Sequence, residues 1–418
     1  MCCSRKCIIN SFVYENTLIS NPNTSSCKMS LIFNLENFEY HPFPEILEFI
    51  KNRPTSPGFN EVAIINEIRP CDLYIYLYAK FGPPNGLQNA LRNKSSDNLI
   101  HWDWTFVHSN GLLVFNGMNQ RTSLQFVGDW DFDLINRDQV IRSIQEDFKN
   151  YGSQMSKVRK GLLEKWETFI NPYQNLESSI SQMEEELDSL KINPNYDKFS
   201  QYDTVEEMKK SGLIVEELNS RYIRAYGISK SLEALIPVLA ESFINLVILI
   251  CLKVEVKKND RLRETFIRGN IDIKIQSLHM YCNEFEKAVD WKSKACIDYN
   301  KVINERNDIL HGNIVISKLK TGDIYFNGNV PVYQKYDNLW EQFFEKGLKA
   351  SGHNEISQSL LAVREFIEYV LSCMTKEGGE LIRHCMLSRE LGKNLENDRI
   401  GVLLPNHMVD LMPSRVVV

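Results

Sequence analysis

Residues 294–311 read Lys-Ala-Cys-Ile-Asp-Tyr-Asn-Lys-Val-Ile-Asn-Glu-Arg-Asn-Asp-Ile-Leu-His, and Gly312 follows. The stretch predicts a helix over 291–311, with the glycine as its C-terminal cap. On an ideal helix at about 100° per residue, an apolar stripe lies within roughly 60° of Arg306 and contains Ala295, Tyr299, Val302, Ile303, Ile309 and Leu310. Arg306 is therefore the one charge in the middle of an apolar stripe.

A guanidinium on such a stripe is costly unless it is paired or opens to a cleft. Two explanations stay open. Arg306 pairs with a buried acid such as Glu241, or the stripe meets a second subunit and Arg306 lines the groove between them. His311 falls about 140° from Arg306, off the stripe, and close to Asn307 at i, i+4 spacing. A lone histidine there is most often a surface or capping residue.

Residues 304–314, Asn-Glu-Arg-Asn-Asp-Ile-Leu-His-Gly-Asn-Ile, resemble the Arg-Asn/His-x-x-x-His signature of the HEPN superfamily. That family includes RNA-cutting toxins, phage-defence proteins and CRISPR-associated effector ribonucleases, and a glycine often follows its final histidine. The resemblance covers about residues 204–375 and not the N-terminal domain. It implies an all-helical bundle in which two copies of the motif meet across a homodimer.

The residue types suit RNA cleavage, because the 2′-OH of RNA can itself attack the adjacent phosphorus. Arg306 would bind and stabilise the charged phosphate oxygens, His311 would be the general acid and base, and Asn307 would orient. No metal-ligand cluster accompanies the motif, so we expect neither metal nor cofactor. The resemblance implies products with a 2′,3′-cyclic phosphate and a 5′-hydroxyl.

Two neighbouring features are candidates for supporting roles. Glu241 and Asn245 share one face of an apolar helix, where they either form a polar layer around Arg306 or satisfy a purely structural network. A basic stretch either steers RNA toward the cleft or is simply solvated, and it consists of Lys257, Lys258, Arg261, Arg263 and Arg268.

Composition predicts a globular protein of two or three domains. The chain has 418 residues, 43% hydrophobic and 24% charged, which is ordinary for a protein with a sizeable core. Its net charge of −6 argues against a surface coated with nucleic-acid-binding charge but allows a local basic cleft. Scattered cysteines are typical of a reducing compartment. The apolar run over 246–252 is too short to span a membrane, so we expect a cytoplasmic protein with no membrane contact.

The expected fold is an α+β N-terminal domain followed by a mainly α-helical HEPN-like bundle. The expected segments are a disordered arm over 1–28 (or an extension upstream of Met29), an α+β domain of unknown role over 29–135, a helical or coiled-coil connector over 137–192, a linker over 193–203, the HEPN-like helical domain over 204–375 and a C-terminal extension over 376–418. The connector has an apolar spacing typical of a coiled-coil arm, and an ordinary surface helix linking two domains explains it equally well.

Local patterns predict the elements of both domains. In the α+β domain we expect a helix at 45–51 and strands at 61–68, 73–81, 101–107, 112–116 and 123–127, with Asn110-Gly111 as a hairpin turn. Trp102, Trp104 and Phe106 would share one face and, with Trp130, either stack bases or, more commonly, fill the core. In the helical domain we expect helices at 204–225, 231–255, 270–290, 291–311, 338–350 and 354–375, with a hairpin at 323–336 whose turn is Asn327-Gly328.

These patterns lead to one function hypothesis and two alternatives. The first is a homodimeric, metal-independent endoribonuclease that acts as a toxin or phage-defence effector, with an antitoxin or sensor as partner. The second is a non-catalytic HEPN-like module that binds RNA, a nucleotide or a protein. The third is an accidental motif in a helical interaction protein with a coiled-coil arm.

Overall fold

The chain, seen here as a computed structural model, is described for residues 33–52, 58–92, 96, 98–194, 197, 204–314, 316, 320, 323–334 and 344–404, with backbone only for 207–211. It divides into two compact units, one built mainly from residues before 162 and the other from residues 162–409. The arm expected over 1–28 lies outside the described residues. An antiparallel-sheet region followed by a mostly helical half confirms the α+β and helical order of the expected fold.

The first unit contains an antiparallel sheet of strand order β1-β3-β4-β5-β2. Its strands are β1 (Glu39–Tyr40), β2 (Phe59–Ile64), β3 (Trp102–His108), β4 (Gly111–Gly117) and β5 (Thr122–Gly128). Its helices are α1 (Phe43–Lys51), α2 (Pro70–Phe81), α3 (Leu87–Leu91) and α4 (Arg137–Leu162). The expected helix at 45–51 is confirmed as α1. The expected hairpin is confirmed as β3–β4, but its turn is Ser109-Asn110, one residue earlier than expected, because Gly111 pairs with His108.

One expected strand is wrong, because residues 73–81 belong to helix α2. Over 73–78 tyrosine alternates with leucine and isoleucine, and this period of two is typical of a strand. Pro70 occupies the first turn of the helix, a position that proline favours because the first amides have no partner inside the helix. Leu73, Tyr76 and Leu77 are fully buried at the i, i+3, i+4 spacing of one helix face. Packing on the sheet therefore outweighs the strand-like alternation.

The aromatic residues of β3 belong to the core of this unit. Trp104 and Phe106 are fully buried, and Trp130 is nearly so. Trp104 donates from its indole nitrogen to the carbonyl of Gly82 at 3.1 Å, and the ring of Phe106 lies 4.5 Å from that of Phe81. Buried rings already in contact with one another offer no face for stacking bases. These aromatic residues therefore fill the core, which was the more common of the two alternatives.

The second unit is built around helices, with small strand pairs at its periphery. Its helices are α5 (Pro172–Ser189), α6 (Val205–Cys251), α7 (Val254–Lys257), α8 (Asp260–Arg268), α9 (Ile271–Tyr281), α10 (Lys294–Leu310), α11 (Lys346–Ala350), α12 (Ile356–Leu371) and α13 (Lys376–Met386). Its strands are β6 (Trp166–Ile170), β7 (Ile324–Asn327), β8 (Val330–Tyr333), β9 (Glu390–Asn394) and β10 (Ile400–Gly401). The expected hairpin is confirmed as β7–β8, and α13, β9 and β10 occupy the segment after 375.

Helix α6 is continuous where the sequence indicated two helices separated after residue 225. Its buried positions Tyr222, Ala225, Ser229, Leu232 and Ile236 keep alternating steps of three and four through the expected break, so one apolar stripe holds the helix together. Over Gly212–Cys251 the helix is long and apolar enough to cross a membrane by length and composition, with 56% of its most apolar window buried inside the protein. Most of the expected run at 246–252 lies in the core cluster around this helix.

The segment expected as a connector over 137–192 contains two separate helices. The start of α4 packs in the first unit through Val140, Ile141 and Ile144. Ile180 and Leu187 of α5 are buried in the core around α6. Both helices have a 3.6-residue apolar period, and each buries its apolar face in the core of its own unit.

Candidate active site

Helix α10 holds the motif in place from its first residue. Ser293 caps it by accepting a hydrogen bond from the amide of Cys296 at 3.4 Å. The expected apolar stripe is buried at Tyr299, Val302 and Ile303 by packing against α6 and α12 of the same chain. The expectation that this stripe meets a second subunit is therefore wrong for these three residues, because their own bundle covers them.

Tyr299 fixes how α10 lies on its neighbours. Its ring stacks on Phe366 of α12, with centroids 4.2 Å apart and planes inclined by 20°. Its hydroxyl donates to the carbonyl of Pro237 inside α6 at 3.4 Å. Tyr299 lies two turns before Arg306, and Pro237 lies one turn before Glu241. These contacts set Arg306 opposite Glu241.

Arg306 forms an ion pair with Glu241 through its Nη2 atom. The arginine side chain is 17% exposed and the glutamate side chain 30%. This is the pairing with a nearby acid that the sequence left open, and it explains how the charge is tolerated on the stripe. The Nε of Arg306 is buried and has no hydrogen-bond partner among the described residues. The guanidinium is therefore only partly satisfied, since it has five N–H donors.

Lys274 of α9 is a second buried cation at this place. Its side chain is largely buried, and its Nζ donates to Oδ1 of Asn245 at 3.3 Å. Burial lowers the pKa of Lys274, and the nearby Glu241 carboxylate offsets part of that shift. The carboxylate of Glu241 thus interacts with two cations, Arg306 and Lys274, and the polar cluster has a net positive charge.

Sequence reasoning missed Lys274, although the signal was there. Ile271, Lys274, Ile275 and Leu278 follow the i, i+3, i+4, i+7 spacing of a buried helix face, so Lys274 interrupts an apolar stripe just as Arg306 does. The helix expected over 270–290 corresponds to α9, which begins as expected but ends at Tyr281. Projecting α9 in the same way as α10 would have found it.

His311 is the C-terminal cap residue of α10. Gly312 has a positive φ of 62°, its amide donates to Ile309, and the amide of Asn313 donates to Asp308, which together form a Schellman turn. The predicted glycine cap is confirmed. His311 is exposed, and within the described chain no hydrogen bond or ion pair joins its imidazole to Arg306 or Asn307.

The basic stretch spans α7 and α8. Lys258, Arg261 and Arg268 are exposed. Arg263 forms an ion pair with Asp260 at 2.8 Å, and its Nη1 donates to the carbonyl of Lys257 at 3.1 Å. The described partners of Arg263 and Arg268 are Lys257, Asp260 and Glu264, none of which lies on α10.

Two side chains of the motif, those of Arg306 and His311, carry groups that could act on a phosphate ester. A fixed, partly satisfied guanidinium can bind a non-bridging phosphate oxygen. A solvent-facing imidazole at the end of the same helix is a group that can accept and donate a proton in general acid and base catalysis. No protein-family model, curated protein or solved structure matches the chain.

Proposed function

We propose that the second unit is a HEPN-like domain and that the protein is a homodimeric, metal-independent endoribonuclease acting in the cytoplasm as a toxin or phage-defence effector. The observation that carries this proposal is the partly satisfied guanidinium of Arg306, which the bundle holds five residues before an exposed histidine on the same helix. Arg306 binds the scissile phosphate, Asn307 orients it, and His311 transfers protons.

The reaction follows from the substrate's own chemistry. His311 takes the proton of the 2′-OH as the oxygen attacks phosphorus, and an imidazolium returns a proton to the leaving 5′-oxygen. Arg306 stabilises the negative charge that builds on the phosphorane. In the proposed dimer a second Arg306 and a second His311 complete the site, so that one imidazole acts as base and the other as acid. An antitoxin or sensor restrains the site until it is needed.

His311→Ala is the direct test of the catalytic role. The side chain is exposed and held by no described contact, so the folded state should change by less than about 0.5 kcal/mol. We expect cleavage of single-stranded or transfer RNA in EDTA to fall about 100-fold or more, with 2′,3′-cyclic phosphate ends from the wild type. His384→Ala, at an exposed histidine of α13, is the matched control. Equal cleavage rates for wild type and His311→Ala would contradict the catalytic role of His311.

A non-catalytic HEPN-like module is the second candidate. It is favoured by the Arg306–Glu241 pair and by the lack of any described side-chain contact between Arg306 and His311. In that case RNA, a nucleotide or a protein partner should bind with equal affinity to wild type and His311→Ala, while no RNA pool is cut.

The hairpin β7–β8 offers a surface for the homodimer. Its apolar side chains are all between 47% and 66% exposed, and they are Ile324, Tyr325, Phe326, Val330, Val332 and Tyr333. A two-stranded hairpin is at best marginally stable alone in water, and an exposed apolar edge pairs readily with another strand. Pro331 has no amide hydrogen and blocks one edge. Among the described residues no strand pairs with the other edge, that of β7, and this edge pairs with β7 of a second copy in the proposed dimer.

Phe326→Asp should therefore weaken the dimer, because it places a charge in the paired hairpins. We expect the dimer dissociation constant to rise about 100-fold or more, measured by sedimentation equilibrium. Leu361→Asp is the matched control, since Leu361 is an equally exposed apolar residue (57%) on α12. A dimer that Phe326→Asp leaves intact would exclude the hairpin as its interface.

A further inference from the structure

A cavity of about 260 Å³ lies in the second unit, beside the end of helix α6. Helices α6, α7 and α8 and the strand pair β9–β10 each contribute to its wall. Its aliphatic lining consists of Ile248, Leu249, Leu252, Ile267 and Ile400, and its charged lining of Lys257, Arg263, Lys393 and Asp398. None of these residues contacts Arg306 in the described structure, so the cavity is separate from the candidate active site.

The aliphatic side chains form a floor with an open mouth. Ile248 and Leu252 are almost fully buried. Leu249 and Ile267 remain 40% and 42% exposed, which leaves apolar surface facing solvent at the entrance. Covering that surface with a ligand's hydrocarbon would be favourable at about 25 cal/mol per Å².

The rim of the cavity carries an excess of positive charge, with three cations and one carboxylate in the lining. Lys393 pairs with Asp398 at 2.9 Å, and this hydrogen bond, with the nearby Lys257 and Arg263, keeps the pKa of Asp398 below its usual range. The carboxylate of Asp398 is thus ionised and engaged by Lys393. The Nζ of Lys257 has no carboxylate within ion-pair distance among the described residues.

Arg263 is fixed at the same rim before any ligand arrives. Its guanidinium donates to the main-chain carbonyl of Lys257 and pairs with Asp260 on its own helix. A pre-positioned guanidinium beside a free ammonium recognises a carboxylate or phosphate at little entropic cost.

We propose that this cavity binds a small anionic amphiphile whose aliphatic tail lies on the isoleucine and leucine floor and whose single carboxylate or phosphate head meets Lys257 and Arg263. A nucleotide fits less well, because the described lining contains no aromatic ring on which a base could stack. The site needs neither RNA cleavage nor dimer formation. Lys257 and Arg263 therefore have a ligand of their own, distinct from the steering role that the sequence suggested for the whole basic stretch.

Isothermal titration calorimetry on the full chain tests the proposal with four probes, namely decanoate, decyl phosphate, decanol and adenosine 5′-monophosphate, all below micellar concentrations. We expect one molecule of decanoate or decyl phosphate per chain, and at least about tenfold weaker binding of decanol and of the nucleotide. The two anionic probes show which head group is preferred.

Two variants locate the bound probe. Lys257→Ala removes the free ammonium and Leu249→Gln removes part of the floor at an exposed position, and each should weaken binding about tenfold or more. The matched controls are Lys258→Ala, an exposed neighbouring cation, and Ile273→Gln, an exposed isoleucine on α9 (56%), and both should bind like wild type. Circular dichroism establishes that each variant is folded.

Four results would overturn the proposal. The first is that neither anionic probe binds, and the second is that decanol binds as tightly as the anionic probes. The third is that the nucleotide binds more tightly than the anionic probes, and the fourth is that Lys258→Ala loses as much affinity as Lys257→Ala. Each of them leaves the cleavage assay on His311→Ala untouched, so the two proposals fail separately.

Discussion

Arg306→Leu should lower the rate of RNA cleavage about 1,000-fold, since an arginine that stabilises a transferring phosphoryl group is typically worth at least that much. The guanidinium is the one permanent charge that the motif supplies to the phosphate. Its partner Glu241 holds only the Nη2 atom, which leaves other donors for a phosphate oxygen. Single-turnover rates in EDTA, at saturating enzyme, measure the effect without a contribution from RNA release.

The same substitution also removes a structural contact, so the loss of activity needs a control for folding. Without Arg306, Lys274 is the one nearby cation that the described residues offer to the carboxylate of Glu241, and the free energy of unfolding should fall by about 1–2 kcal/mol. Replacing both partners, in Arg306→Leu with Glu241→Leu, should restore most of that stability, because an apolar pair often substitutes well for a buried ion pair. The double variant should still not cut RNA.

The double variant decides between the two explanations for Arg306. If Arg306 served only to pair with Glu241, cleavage would return together with stability. Arg383→Leu is the matched control, since Arg383 pairs with Glu368 at 2.5 Å on an exposed face of the same unit. It should change both the cleavage rate and the free energy of unfolding little.

The helix projection predicted the position of Arg306 on a buried face, but it could not say what covers that face. A one-dimensional period shows which residues share a side of a helix. Whether the neighbour is another helix of the same chain or a second subunit depends on contacts between residues far apart in sequence. Tyr299 reaches Phe366 and Pro237, both more than 60 positions away, and no local pattern contains that information.

For helix α2 the local sequence pattern itself was misleading. Residues 73–81 alternate in a way typical of a strand, and the intrinsic preference of such a stretch is easily overridden by its surroundings. The decisive local signal was Pro70 in the first turn, and a pattern of apolar alternation does not contain it. The hairpins, by contrast, were predictable in place, because asparagine and glycine are typical of tight turns. Each two-residue turn lies one position away from the expected one, at Ser109-Asn110 and at Gly328-Asn329.

Asp147→Asn should destabilise the first unit by about 3 kcal/mol, the lower end of the cost of breaking a buried ion pair, because Asp147 is 20% exposed. Oδ2 of Asp147 accepts from Lys80 Nζ and from Tyr76 Oη, each at 2.5 Å. The side chain of Lys80 is 7% exposed, and its ammonium lies 5.3 Å from the ring centre of Tyr151. Without the carboxylate, this cation stays buried among aromatic rings with no counter-charge.

Chemical denaturation, read out by hydrogen exchange of the β3–β5 amides, measures this loss in the first unit. Asp138→Asn is the matched control on the same helix, since Asp138 is 67% exposed in a 3.5 Å pair with Arg137. Its effect should stay below about 0.5 kcal/mol. An equal loss in the two variants would mean that burial of the Lys80 pair is not what stabilises the unit.

The pH dependence separates the charge of Asp147 from its packing. Burial raises the pKa of Asp147, but hydrogen bonds from Lys80, Tyr76 and Asn150 outweigh burial and hold the pKa below its usual range. A carboxyl group whose pKa is depressed by folding contributes stability above its unfolded value of about 4, and that contribution is lost as pH falls through the folded value. The stability difference between wild type and Asp147→Asn should therefore be constant from about pH 5 to 7 and shrink below about pH 4. A difference that persists undiminished in acid would show that the carboxylate acts through shape and not through charge.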